Sequence, residues 1–129
     1  MRLDMGLLFL RVFAGGMMLL SHGWAKLSNY GTLATTFPDP LGMGVGFTLG
    51  VAIFAEFFCS LLVVLGLSTR LATIPLIGTM LTAAFVVHAM DPFDKKEFAL
   101  IYATCFITIF LTGPGAFSLD AFARLRGRR

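Results

Sequence analysis

Six residues in this chain combine side chains that exchange protons or bind ligands with positions inside, or at the ends of, long apolar segments. They are His22, Lys26, Glu56, His88, Glu97 and Tyr102. Imidazole, carboxylate, ammonium and phenol groups donate or accept hydrogen bonds, and most can act as general acids or bases. A quinone headgroup needs hydrogen-bond donors at its carbonyl oxygens and a group that exchanges protons. The six residues therefore indicate a candidate ligand-binding site, with quinone as a possible ligand.

Each of these side chains also has a purely structural explanation. An unpaired charge in an apolar segment is costly, so we expect Arg11 and Glu56 to form an ion pair, either as a structural clasp or as part of a proton relay. Lys26 could instead extend its ammonium group to the membrane interface, and Glu97 could stabilise only the positive end of a helix. His22 and His88 could each satisfy a neighbouring polar group.

Metal and redox sites are weakly indicated. Two histidines without a ligand-spacing motif do not make a convincing metal or haem site, so no metal is expected. Cys59 and Cys105 lie inside apolar segments and form no Cys-x-x-Cys motif. We expect them to be inert packing thiols, with a redox pair as the alternative. No flavin, haem or iron–sulfur motif is evident, so electrons would have to come from a partner protein.

The composition places the chain in a membrane. Its 129 residues are 57% hydrophobic and only 13% charged, whereas soluble domains carry roughly 25% charged residues. This balance excludes a disordered chain, a nucleic-acid binder and a disulfide scaffold. The length allows a single domain, residues 1–129.

Four segments have close to the ~20 mostly apolar residues of a membrane-crossing helix. They are residues 5–27, 43–67, 71–90 and 97–112. Beyond them, Ser118 can cap a short helix with apolar Leu119 and Phe122 on one side and arginines on the other, typical of a helix on the membrane surface. The predicted fold is all-α, a polytopic bundle of four transmembrane helices with a short C-terminal interfacial helix.

The basic residues predict the orientation. Four spans leave both termini on one side, which carries Arg2, Arg70 and the tail arginines Arg124, Arg126, Arg128 and Arg129. Excess Lys and Arg beside a span marks the cytoplasmic side and anionic lipid headgroups, rather than a nucleic acid. We therefore expect an inner-membrane, multi-pass protein with cytoplasmic termini. A cleaved signal peptide is not expected, because the first segment contains Arg11 and lacks a small-x-small site.

Spacing predicts which helix faces turn inward. In the first span one stripe is formed by Arg11, Gly15, Met18, His22 and Lys26, and in the fourth a similar stripe by Glu97, Ile101, Thr104 and Thr108. Glu56 shares its face with Ala52 and Ser60. Gly42, Gly46 and Gly50 form a small-residue ridge, which predicts close packing inside the monomer or, alternatively, a homodimer contact.

Short motifs recur in order through all four spans. They are Leu10-Arg11, Ser21-His22-Gly23-Trp24-Ala25-Lys26-Leu27, Ala55-Glu56, Leu65-Gly66-Leu67-Ser68-Thr69-Arg70-Leu71-Ala72, Phe85-Val86-Val87-His88 and Gly113-Pro114-Gly115-Ala116-Phe117-Ser118-Leu119-Asp120. In this order and spacing the chain resembles the DoxX family of small four-helix membrane proteins. The resemblance carries over Arg11, His22, Lys26, Glu56, Arg70 and His88, without an assigned catalytic role.

The resemblance implies a bacterial-type inner membrane and a link to respiratory or sulfur redox chemistry, since the family takes its name from a subunit of an archaeal quinone-linked oxidoreductase that oxidises thiosulfate. We therefore expect a redox-associated membrane subunit, quinone- or thiol/sulfur-linked, with a polar site between the helices. The alternative is a non-enzymatic anchor or assembly partner for a soluble oxidoreductase or sulfurtransferase. A transporter is less favoured, because neither broken helices nor internal repeats are evident.

Overall fold

The computed structural model describes residues 1–128, which form helices joined by short connections and contain no strand. The four long helices are α1 (Arg2–Ser28), α3 (Val45–Leu65), α4 (Thr69–Val87) and α5 (Phe93–Thr112). Two short helices are α2 (Tyr30–Thr36), in the longest connection, and α6 (Leu119–Arg126), near the C-terminus. Arg129, the last residue of the predicted basic tail, lies outside the described residues.

The long helices form a four-helix membrane bundle. Helices α1, α3 and α4 are each long and apolar enough to cross a membrane. Helix α5 has 20 residues, with its charged residues confined to the first turn and a half, and it packs along α4. The predicted all-α, polytopic architecture is confirmed, and the fourth helix begins at Phe93, earlier than the predicted limit of residue 97.

Small residues fill the interior of the bundle. Seven of the sixteen buried apolar residues are alanines: Ala14, Ala52, Ala55, Ala72, Ala84, Ala99 and Ala103. Large apolar side chains such as Phe9, Phe47 and Phe85 are exposed on the outside. Lipid tails are as apolar as these side chains, so helices in a membrane gain most from close contact of small residues.

Helices α1 and α3 approach most closely at two glycines of α1. A Cβ at Gly15 would lie 3.2 Å from the carbonyl oxygen of Ser60, and one at Gly23 would overlap the carbonyl group of Glu56. The predicted ridge is not used in this way. Apart from the adjoining residues and the backbone of α3 itself, no atom of the described chain lies within 4 Å of a Cβ added at Gly46 or Gly50, and Gly42 precedes α3 with a φ of +67°. The prediction that this ridge packs inside the monomer is wrong.

A buried arginine ties the first helix to both the third helix and the C-terminal segment. Arg11, only 1% exposed, donates from Nη1 to the carbonyl oxygens of Val63 and Val64, each at 3.1 Å, and from Nη2 to the carbonyl oxygen of Phe117. Helix α3 ends here with Gly66 in the left-handed region, so its last carbonyl groups lack the full set of bonds made inside a helix and can accept from Arg11. The carbonyl oxygen of Val63 accepts from Gly66 N–H as well.

The C-terminal segment also binds the start of α4. The Asp120 carboxylate accepts hydrogen bonds from the backbone of Ser68 (2.7 Å) and Thr69 (2.9 Å) and from Thr69 Oγ1 (2.8 Å). Burial raises the pKa of Asp120, but the bonds from Thr69 and Ser68 and the nearby Arg124 outweigh it and hold the pKa below its ordinary value. Ser118 Oγ accepts from the backbone of Ala121 (3.1 Å), so the predicted cap of α6 is confirmed.

Candidate functional site

A cavity of about 630 Å³ lies between α1, α3, α4 and α5, in the half of the bundle remote from the termini. Five of the six predicted ligand-binding residues line it: His22, Lys26, Glu56, His88 and Tyr102. The residues between these polar groups are mostly apolar, as in small-molecule sites, which combine apolar walls with a few placed polar groups.

The inner end of the cavity holds a buried ion pair. Lys26 Nζ lies 2.5 Å from Glu56 Oε2, with the two side chains 19% and 4% exposed. Glu56 Oε2 is itself buried and accepts no well-aligned hydrogen bond from residues 1–128, so the Lys26 ammonium group compensates its charge. The His22 and Tyr102 rings meet edge to face beside this pair, with centroids 5.5 Å apart.

The predicted Arg11–Glu56 ion pair is corrected by this geometry. Helices α1 and α3 run antiparallel, and Gly23 is the α1 residue that packs against the backbone of Glu56. Arg11 lies twelve residues earlier, about 18 Å along the helix, where it meets the C-terminal end of α3. Lys26 lies less than one turn beyond Gly23, so its ammonium group reaches the carboxylate.

Wide helical turns occur around the cavity in three of the four helices. The π-helical turns are Leu19–Gly23 in α1, Phe54–Cys59 in α3 and Ala83–Val87 in α4. They contain His22 and Glu56, and the third ends directly before His88. A π turn inserts an extra residue, which changes the direction of the side chains that follow, and such turns are frequent at functional sites.

The outer end of the cavity is formed by His88 and Lys95. His88 follows the last residue of α4, and its Nδ1 lies 2.7 Å from Asp91 Oδ2. Lys95 and Tyr102 are seven residues apart on α5, so the two ends of the cavity are separated by about 10 Å along this helix. Lys95 was not among the predicted ligand-binding residues, although its spacing from Tyr102 is that of a shared helix face.

Glu97 does not belong to the cavity. It is exposed and, at 100° per residue, lies about 200° around α5 from Lys95. The rest of its predicted inward stripe is exposed as well: Ile101, Thr104 and Thr108. The two threonine hydroxyls donate to carbonyl oxygens one turn earlier, each at 2.8 Å. Because these bonds satisfy the hydroxyls within the helix, the two threonines do not mark the interior face of α5.

The connection before α3 covers the cavity. Its lining residues are Phe37, Pro38, Pro40, Leu41 and Met43. Asp39, between the two prolines, accepts hydrogen bonds from the backbone of Met43 (3.0 Å) and Gly44 (2.9 Å) and from Thr48 Oγ1 (2.7 Å). Thr48 and these backbone donors lower the pKa of Asp39. The Pro-x-Pro sequence is incompatible with a continuous helix, but it carries no signal that the connection would fold over a cavity.

Neither cysteine lines the cavity. Cys59 is buried and Cys105 half-buried, and both are free thiols. Within residues 1–128 no group of three or more His, Cys, Asp or Glu side chains is arranged to hold a metal ion. The chemistry available at the cavity is therefore hydrogen bonding, charge pairing and proton exchange by the side chains that line it.

Comparison with known proteins identifies relatives of this chain. The family model described as DoxX matches residues 6–89, which include Arg11, His22, Lys26, Glu56 and His88. The chain is 31% identical over 122 residues to the inner membrane protein YqjF of Escherichia coli strain K12, covering 91% of each protein. No solved structure matches the chain. The chain is therefore an integral inner-membrane protein of the DoxX family.

Proposed function

We propose that the protein is a redox-associated membrane subunit that binds the headgroup of a lipid-soluble quinone in the cavity between its helices. The observation that carries the proposal is the convergence of His22, the Lys26–Glu56 pair, His88 and Tyr102 on one apolar-walled cavity. Polar groups that face lipid or close a helix end would not be expected to share a cavity.

The arrangement suits a planar ring with polar atoms at opposite edges. Donors lie at both ends of the cavity, Lys26 and Tyr102 at the inner end and His88 at the outer end, with apolar side chains such as Val51 and Met80 between them. The volume lies within the range of about 300–1,000 Å³ typical of small-molecule sites. A ring held in this way would keep a hydrogen-bond donor near each carbonyl oxygen.

The residues that line the cavity would transfer protons to and from the ligand rather than electrons. A quinone supplies two-electron redox chemistry when bound, and the electrons would come from a partner protein. The Glu56 carboxylate lines the cavity and can accept a proton from a ligand hydroxyl, while the Lys26 ammonium group balances its charge. The imidazole rings of His22 and His88 can each donate or accept a hydrogen bond.

The proposal is tested by ligand-dependent thermal unfolding of the purified protein in a mild detergent. A short-chain ubiquinone analogue at about 100 times its dissociation constant should stabilise the fold by about 2.7 kcal/mol, a shift of several degrees. We expect His22→Ala and His88→Ala to lose this shift, and Glu56→Gln to reduce it. The matched control is Glu97→Gln, which removes the same charge outside the cavity and should keep the full shift.

Two outcomes would contradict the proposal: no shift in the unmodified protein, or an equal shift in both histidine variants. In that case, recovery of a soluble oxidoreductase or sulfurtransferase with the protein would support the alternative function of a non-enzymatic membrane anchor.

We infer that both termini face the cytoplasm. Contacts of Asp4 with Ala116 and of Asp120 with Ser68 place the two termini at one end of the bundle. That end carries Arg2, Arg70, Arg124, Arg126 and Arg128. The excess of arginine supports a cytoplasmic location for this end. A C-terminal fluorescent-protein fusion should fluoresce and a C-terminal alkaline phosphatase fusion should be inactive; an active phosphatase would reverse the orientation.

A further inference from the structure

A second cavity lies at the end of the bundle that carries the termini. Its volume is about 760 Å³, and it is bounded by the start of α4, the end of α5 and the first turns of α6. Two arginines from different helices line it, Arg70 on α4 and Arg124 on α6. It shares no residue with the first cavity, which is lined by His22, Glu56 and His88.

The two guanidinium groups have unused hydrogen-bonding capacity. Arg70 donates one long bond, 3.5 Å from its Nη2 to the carbonyl oxygen of Leu111. Within residues 1–128, neither arginine has a carboxylate within 4 Å. Both side chains are exposed, so each can turn a planar pair of donors toward an anion.

The carboxylates that line the same cavity are already occupied. Asp120 accepts three hydrogen bonds from Ser68 and Thr69. Asp4 accepts from the backbone of Ala116 at 2.9 Å and lies 3.4 Å from the N-terminal ammonium group. Both carboxylates keep their negative charge, but these contacts hold them against the backbone of the C-terminal segment and the start of α4. The two arginines are the cationic side chains of the cavity that can receive an anion.

Apolar side chains extend outward from the same two helices. Leu71 on α4 and Phe122 and Leu125 on α6 are 70%, 62% and 67% exposed. A site that offers guanidinium groups beside exposed apolar surface at a bundle end fits an amphipathic anion better than a free one. Basic pockets beside transmembrane helices bind the headgroups of anionic lipids.

We propose that this cavity binds the phosphate group of an anionic phospholipid between Arg70 and Arg124, with the acyl chains lying along the apolar surface of α4 and α6. This inference does not depend on the quinone proposal, because it concerns a different cavity at the opposite end of the bundle.

The test uses the full-length protein in mild detergent and measures the shift in unfolding temperature on addition of lipid. Phosphatidylglycerol should raise the temperature, whereas equal amounts of phosphatidylcholine or inorganic phosphate should not. In the double variant Arg70→Gln/Arg124→Gln we expect the apparent affinity for phosphatidylglycerol to fall about tenfold or more. The matched control is Arg126→Gln/Arg128→Gln, which removes two charges from the same end but not from the cavity, and should change the affinity less than about threefold.

Three results would overturn the proposal. An equal loss of affinity for phosphatidylglycerol in both double variants would mean diffuse electrostatic attraction rather than a site. A full shift in unfolding temperature with inorganic phosphate would mean a site for free anions. An equal shift with phosphatidylcholine would mean that the charge of the headgroup is not recognised. If the first double variant fails to fold, Arg124→Gln alone decides the matter, because no hydrogen bond within residues 1–128 involves its side chain; unchanged affinity in it would overturn the site.

Discussion

Gly23 sets the contact at which the candidate site is assembled. Because Gly23 has no side chain, α1 packs directly against the backbone of Glu56 and Phe57. This contact brings His22, the residue before it, and Lys26, three residues after it, to the cavity. A Cβ added at Gly16, on the same helix, would have no atom of the described chain within 4 Å apart from the adjoining residues and the backbone of α1 itself. The two glycines therefore provide a matched pair in which the amino-acid change is identical and only the contact differs.

We predict that Gly23→Ala destabilises the protein by about 1–3 kcal/mol, because the added methyl group overlaps the Glu56 carbonyl group and must push the helices apart. Gly16→Ala should be neutral or slightly stabilising, since alanine lowers the entropy of the unfolded chain. Unfolding of both variants in detergent measures the difference. Equal stability of the two would show that the contact at Gly23 is not close.

At this scale the sequence predicted which residues turn inward on α1 but not which charges pair. Arg11 and Met18 of the predicted stripe are buried, and His22 and Lys26 line the cavity. Pairing depends on the register between helices that are distant in the chain. Arg11 therefore donates to backbone carbonyl groups, and Lys26 pairs with the carboxylate of Glu56. The spacing of residues along one helix does not predict this pairing.

The start of α4 is stabilised by a residue from a distant part of the chain rather than by its own helix. Asp120 could be expected to act on the positive end of its own helix, α6, but its carboxylate caps α4 through Ser68 and Thr69. Asp120 and Thr69 are 51 residues apart. Capping motifs are recognised from residues close together in the sequence, so they do not predict this contact. Ser118, whose partner Ala121 is three residues away, was correctly predicted as a cap because its partner is local.

We predict that Asp120→Ala destabilises the protein by about 1 kcal/mol at pH 7, as expected for loss of a helix cap. Because the pKa of Asp120 is lowered on folding, its contribution is complete above about pH 4, the ordinary range for aspartate, and is lost as the pH falls below it. The difference between the unmodified protein and the variant should therefore shrink in acid. Unfolding measured from pH 7 to pH 3 tests this.

Asp94→Ala is the control for the pH series. Asp94 is exposed in the first turn of α5, and its removal should have little effect at either pH. A difference between Asp120→Ala and the unmodified protein that stays constant down to pH 3 would contradict the role given to the ionised carboxylate.

At the scale of the whole molecule, Arg11 joins parts of the chain that are far apart. Its acceptors lie 52, 53 and 106 residues away, so one buried side chain connects α1, the end of α3 and the C-terminal segment. The lipid site depends on this connection, because the same segment positions α6 and hence Arg124.

We predict that Arg11→Gln destabilises the protein by about 2–4 kcal/mol, since a buried side chain that bonds three carbonyl oxygens is replaced by one that cannot reach them. Proteases should cleave the peptide bonds of residues 113–118 faster in limited proteolysis, because that segment loses its hydrogen bond from Arg11 to the carbonyl oxygen of Phe117. Arg2→Gln, which removes an exposed arginine from the same helix, should leave both measurements unchanged. Unaltered proteolysis in Arg11→Gln would contradict the connection.

The amino-acid sequence alone determined that this protein is a helical membrane protein, where its long helices lie and which face of α1 turns inward. These properties follow from hydropathy and from periodicity within a single helix. Only the tertiary structure decided that Glu56 pairs with Lys26, that Glu97 faces outward and that Asp39 closes a connection over the cavity. The pairing of Glu56 and the position of Glu97 depend on how separate helices align against one another, and that alignment comes from backbone contact at Gly23 and hydrogen bonds between distant residues. Asp39 acts through bonds to residues four to nine positions away, but the position of this connection over the cavity is again set by packing between segments.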